Sequence, residues 1–335
     1  MKSNLLKKIS MIALTCAMTA ALAACGNGNK ETTAESTTEA GSAKETTAES
    51  ASGSTVTVTD ARGEVEIPAD PQRIVDLSGN SDMLSILGYS VIGTANSDAY
   101  DYTKFPTYLE DILAGAKILG YSMQDTMDVE AIIGLNPDLI IISSVQESMY
   151  AQLQEIAPTV MIELKQINWE DDLTDVANIF GKQEEADKWL SDYKAKAAEV
   201  GTQLKEKYGE DTTYLAFLAS AGNIYIFDAA GYGSLFYNDM GLKSPEGMPE
   251  QTDISLPVVT YEGLAAIDAD YLFAVGTDAD LQALYESSIW KSMEPVKAGK
   301  VIELPASPYF NEGYSAVGRE AFLQEMPTLM GEVNE

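Results

Sequence analysis

The stretch from Gln183 to Tyr208 constrains this chain more than any other feature. It holds no Pro and a single Gly, and Ala186, Trp189, Leu190, Tyr193, Ala197, Val200 and Leu204 recur at helical spacing. It predicts one long helix. On both sides, short apolar runs alternate with helical segments, the pattern of a parallel sheet flanked by helices. Before the helix, strands are expected at 74–77, 91–93, 139–143 and 160–162, with helices near 81–87, 129–135, 147–156 and 171–180. After it, strands are expected at 213–219, 224–227, 271–275 and 301–304, with helices near 234–240, 261–267, 279–286 and 315–329. The fold class is therefore α/β: two lobes of mainly parallel sheet flanked by helices, joined by one long α-helix, with a ligand cleft where the carboxyl ends of both strand sets face each other. The N-terminal lobe spans 55–181, the linking helix 182–209 and the C-terminal lobe 210–335. The run TVTVTDARGEVEIP alternates around an Ala-Arg-Gly turn and predicts a β-hairpin over 56–67.

Residues 1–24 read as an export signal. Lys2, Lys7 and Lys8 precede an apolar run too short to span a bilayer, and Leu22-Ala23-Ala24-Cys25 ends it with small residues. That ending resembles the bacterial lipobox, which implies cleavage before Cys25 and acylation of the new N-terminus. The expected location is the extracytoplasmic face of the cell membrane, lipid-anchored. Residues 25–54, almost wholly Thr, Glu, Ala, Ser, Gly, Asn and Lys, cannot bury apolar area and read as a disordered tether.

Cys16 falls inside the leader, so one thiol remains and no disulfide can form within the processed chain. Losing the leader removes three of the 21 basic residues and none of the 52 acidic ones, taking the formal charge from −31 to −34. Such a charge excludes nucleic acid as a natural partner. There is no His at all, which removes the commonest metal ligand and general base together and weighs against metal capture or triad hydrolysis. No cofactor and no protein-held metal are expected.

Four phrases carry a family resemblance: IPADPQRIVDL at 67–77, LGYSVIG at 87–93, DVEAIIGLNPDLIIIS at 128–143 and YEGLAAIDADYLF at 261–273. Together with the long helix and a late W-x-x-M-x-x-V-x-x-G-x-V run from Trp290, they resemble the single-helix class of bacterial solute-binding proteins serving iron-siderophore, haem and cobalamin ABC importers. The resemblance implies a monomeric, rigid, two-lobed receptor with a shallow cleft and no enzymatic activity. It also implies one carboxylate on each lobe that docks with arginines of the permease subunits; by position these are Glu130 and Glu262. Exposed carboxylates paired with arginines orient a complex and speed encounter. Pro71, Arg73 and Asp138 read as turn and strand-start residues, and the scattered methionines as core filling.

Loops after the strands should line the cleft, and they are rich in aromatic and small polar groups, suited to a bulky amphipathic ligand. Tyr102, Trp169, Tyr232 and Tyr309 are the candidate ligand contacts. The only arginines are Arg62, Arg73 and Arg319, which leaves Arg319, Lys104, Lys117 and Lys165 as candidate cleft cations, with Arg319 and Lys165 the candidate ligand-binding pair. So few cations favour a neutral ferric hydroxamate siderophore over a highly anionic catecholate. A cobalamin or other corrinoid, or haem, is the alternative ligand within the same family. A surface sensor lipoprotein is the reading without transport.

Overall fold

The computed structural model describes residues 54–165 and 167–332; the leader, Cys25 and the tether lie outside them. The predicted hairpin is formed by β1 (Thr55–Asp60) and β2 (Gly63–Pro68), paired antiparallel. It docks on the first lobe through Ala61 N donating to Met161 O at 3.0 Å and Met161 N donating to Asp60 Oδ2 at 2.8 Å.

The first lobe is built on β3 (Ile74–Asp76), β4 (Val91–Thr94), β5 (Lys117–Ile118), β6 (Leu139–Ser143) and β7 (Thr159–Ile162), in the order β5-β4-β3-β6-β7. All its pairs are parallel. β6, LIIIS, is buried throughout, as a central parallel strand covered on both faces must be. Asp138 starts it by accepting from Gln72 N and Arg73 N, both at 2.8 Å, which is the strand-start role the sequence suggested.

The second lobe uses β8 (Tyr214–Ser220), β9 (Asn223–Ile226), β10 (Val258–Val259), β11 (Tyr271–Gly276) and β12 (Val301–Pro305), in the order β10-β9-β8-β11-β12. Here β8, β11 and β12 run parallel, but β9 and β10 are antiparallel additions. Between β8 and β9 stand Ala221 and Gly222, with φ of 49° and 79°. A two-residue turn with positive φ at both positions closes a hairpin and leaves no room for the crossover that parallel strands require.

The long helix Gln183–Tyr208 is present as expected and buries Ala186, Leu190, Tyr193, Ala197, Gly201 and Leu204. Gly201 is required by packing: a Cβ there would lie 1.9 Å from Met240 O. The C-terminal helix Ala316–Glu332 packs on this helix and also on the helix Ser81–Ile86 of the first lobe. No helix among the described residues is long and apolar enough to cross a membrane.

Candidate functional site

The carboxyl ends of the two sheets meet at a cleft of ≈ 500 Å³, within the usual range for a small-molecule site. From the first lobe it is lined by Ser78, Gly79 and Asn80 after β3, Asn96 after β4, Tyr121 to Met123 after β5, and Leu164 and Trp169 after β7. From the second lobe come Leu218 and Tyr225 on adjacent strands, the segment holding Ile254, Ser255, Leu256 and Val258, and then Phe310, Asn311, Tyr314 and Ser315 after β12.

Several of these groups are held by hydrogen bonds within the protein. The Asn96 side chain accepts from Ser81 N at 3.2 Å and donates to Gly79 O at 2.8 Å. Behind it, buried Asp76 accepts from Ser78 N at 3.0 Å and Ser81 Oγ at 2.6 Å. Burial pushes the Asp76 carboxyl above the ordinary carboxylate range, against those hydrogen bonds.

Polar contacts also tie the lobes together at the cleft. Ser315 Oγ donates to Asp82 Oδ2 at 2.6 Å, Ser307 Oγ to Asp98 Oδ2 at 2.6 Å, and Ala99 N to Asn311 Oδ1 at 2.8 Å.

Charge is nearly absent from the lining. No Lys or Arg faces the cleft among the described residues, and Asp172 is its one ionisable carboxyl. Burial pushes the hydroxyls of Tyr108, Tyr121 and Tyr314 upward, so they remain neutral donors. The cleft therefore offers hydroxyls, amides, aromatic faces and aliphatic groups. Among the described residues, no cluster of three or more acidic, Cys or His side chains is placed to hold a metal ion.

The residues proposed from sequence fall into different positions. Trp169, 4% exposed, lines the cleft. Tyr102 stands at the rim, 47% exposed, its ring stacked 5.4 Å from that of Tyr121. Tyr232 does not reach the cleft: it is fully buried, and its hydroxyl donates to Tyr309 O at 2.9 Å. Tyr309 points its hydroxyl to Glu325 Oε2 at 3.0 Å, away from the lining.

The expected cleft cations do not converge there either. Arg319 is 0% exposed and lies under Trp169, its guanidinium carbon 4.9 Å from the ring centre. Its Nη1 donates to Asp239 Oδ2 at 2.9 Å and its Nη2 to Ser234 Oγ at 2.6 Å. An unpaired guanidinium could not be buried so deeply, and the π-helical turn Leu235–Asp239 supplies the counter-charge. Lys165 pairs with Asp175 at 2.7 Å beside a separate small cavity, and Lys104 stays at the surface 3.9 Å from Asp101.

Sequence reasoning missed Tyr108, Asp172 and the 254–258 segment, all of which line the cleft. The alternation of Ile254, Leu256 and Val258 was the available signal for the last of these.

Glu130 and Glu262 are both exposed, and both occupy the second position of a short helix. Asp128 caps Val129–Leu135 by accepting from Ala131 N at 3.0 Å; Thr260 caps Tyr261–Ala265 by accepting from Gly263 N at 3.2 Å. Each acid thus stands where a helix N-terminus favours negative charge.

The sequence profile of the periplasmic binding protein family matches residues 89–308. The iron(3+)-hydroxamate-binding protein FhuD of Bacillus subtilis is 31% identical over 340 residues, covering 97% of this chain and 99% of the relative. The probable siderophore-binding lipoprotein YfiY of the same organism is 30% identical, covering 89% and 90%. A solved FhuD-fold periplasmic binding protein component of a ferrichrome ABC transporter from Bacillus subtilis superposes with a TM-score of 0.67 at 27% identity, covering 81% of this chain and 98% of that one. With its two sheets, single long linking helix and cleft, the chain belongs to the periplasmic binding protein family.

Proposed function

We propose that this protein is the extracytoplasmic receptor of an ABC importer, that it binds a neutral ferric hydroxamate siderophore in the interlobe cleft, and that it acts by binding and release rather than catalysis. The observation that carries the reading is the lining: hydroxyls, amides and aromatic rings, with no Lys or Arg among the described residues. A ferric catecholate of high negative charge would lose its hydration there without compensation, whereas a neutral trihydroxamate complex loses little. The name of the FhuD relative supports the same ligand class, and that of the YfiY relative supports a siderophore.

On this reading Cys25 carries the lipid anchor, residues 26–54 form the tether, the receptor is a monomer, and Glu130 and Glu262 orient it on the permease. Tyr102 and Trp169 contact the ligand directly, while Tyr232, Tyr309 and Arg319 support the floor.

The test is a titration of the protein with ferric hydroxamates, ferric catecholates, haem and cobalamin, read by quenching of Trp169 fluorescence. Saturable binding of a hydroxamate at micromolar concentration or tighter is the expected result. Preference for a catecholate would overturn the charge argument, and binding of a corrinoid or haem alone would move the receptor to another nutrient.

A further inference from the structure

The cleft has an apolar strip that a compact iron chelate leaves unused. Leu218 on β8 is the register partner of Tyr225 on β9, and Tyr225 is the register partner of Val258 on β10. Register partners in neighbouring strands project from the same face, so the three side chains form one cross-strand row, about 10 Å long at the usual strand spacing. Exposure rises along it: Leu218 is 7% exposed, Tyr225 half-buried and Val258 55% exposed. Ile254, 45% exposed, and half-buried Leu256 widen the strip at its outer end.

Apart from exposed Ser255, between Ile254 and Leu256, the small polar side chains of the lining lie elsewhere. Ser78, Asn80, Asn96 and Ser122 come from the first lobe, and Asn311 and Ser315 from the far side of the second. An iron chelate with its ring of polar donors fits that part of the cleft. Val258 and Ile254, left open to water, gain only if something apolar covers them.

We infer that the natural ligand is amphiphilic: a ferric hydroxamate carrying a hydrocarbon chain that lies along the row Leu218, Tyr225, Val258 and leaves the cleft past Ile254. The inference rests on the hydroxamate reading above and adds a second ligand feature to it. It assigns specificity to the antiparallel edge of the second sheet.

The experiment compares ferric complexes of one linear trihydroxamate whose terminal amine carries either an acetyl or a decanoyl group. Both are titrated against the full chain and against the full chain with Ile254→Ser and Val258→Ser, and Trp169 quenching is followed. Both substitutions fall on exposed positions, and any partitioning of the decanoyl probe into an attached lipid is common to the two proteins. The expected result is binding of the decanoyl complex about tenfold tighter than the acetyl complex by the unsubstituted chain, with that ratio collapsing towards one in the double variant; the ratio is the readout, because both substituted residues line the cleft and each can also shift the acetyl affinity. Equal affinities for the two complexes would overturn the inference and leave the hydroxamate reading standing. An undiminished preference in the double variant would overturn it too, because the chain would then lie elsewhere. Failure of both complexes to bind would overturn the hydroxamate reading itself.

Discussion

The guanidinium of Arg319 lies 4.9 Å beneath the indole of Trp169, so the single tryptophan of the cleft rests on a buried cation. Asp239 neutralises that cation, and Tyr193 Oη donates to the same carboxylate oxygen at 2.6 Å. Burial still pushes the Asp239 carboxyl upward, with Arg319 and Tyr193 pulling it back. Replacing Arg319 with Met would strand Asp239 and is expected to cost about 3–5 kcal/mol of stability by denaturant melt. Adding Asp239→Asn should recover most of that loss. If Arg319 only supports the floor, the folded double variant keeps ligand affinity within about threefold, less than 1 kcal/mol. A hundredfold loss in that variant would place Arg319 against the ligand instead.

Glu312 sets a pH dependence. It is 2% exposed, and burial, reinforced by Glu325 and opposed by the hydrogen bond from Tyr232, pushes its carboxyl up to about 8 from 4.5. Below the lower value the group is protonated in both folded and unfolded chains, and its contribution is fully present. As pH rises from there, the unfolded chain ionises first, so the native state loses stability until about pH 8 and then levels off. Glu312→Gln removes this slope. Its melting temperature relative to the unsubstituted chain should be higher at about pH 9 than at about pH 5; a constant difference would show that the carboxyl titrates normally.

Gly201→Ala should destabilise the protein although Ala is the better helix former. The helix preference offers about 1 kcal/mol. The added methyl would meet Met240 O at 1.9 Å, a backbone atom with no rotamer to yield. Overpacking of this kind costs about 1–3 kcal/mol, so a net loss is expected in a thermal melt. A gain would mean that the turn before Leu242 shifts freely.

Glu130→Lys with Glu262→Lys should leave ligand affinity unchanged and lower uptake by about tenfold or more in cells carrying the matching permease. Both positions are exposed and belong to helix first turns outside the cleft lining. Unchanged uptake would remove the docking role and favour the surface-sensor reading.

The parts of the fold that were legible in the sequence are those where one periodicity dominates. The long helix matches its predicted bounds because a Pro-free stretch with an unbroken apolar stripe leaves no competing structure. β6 is equally plain, being short, apolar and bounded by Pro137-Asp138 and Ser143-Ser144. The two-residue strands β5 and β10 were invisible because pairing with a neighbour, not local propensity, defines them. Within the site, Trp169 was legible because it opens a helix just after the end of β7. Tyr232 and Arg319 were not, because the tertiary packing that turns them inward involves segments far apart in sequence: the Tyr232 hydroxyl meets Tyr309 O, and Arg319 meets Asp239.

The hydrogen bonds from Ser315 to Asp82, from Ser307 to Asp98 and from Ala99 to Asn311 join the halves of the molecule beside the cleft. If those bonds survive binding, the receptor keeps one silhouette. On the docking reading, an empty copy occupies the same berth as a full one, and only the exposed edge of the cargo tells them apart. Empty copies would then act as competitive inhibitors of delivery, and import would slow when receptors greatly outnumber iron complexes.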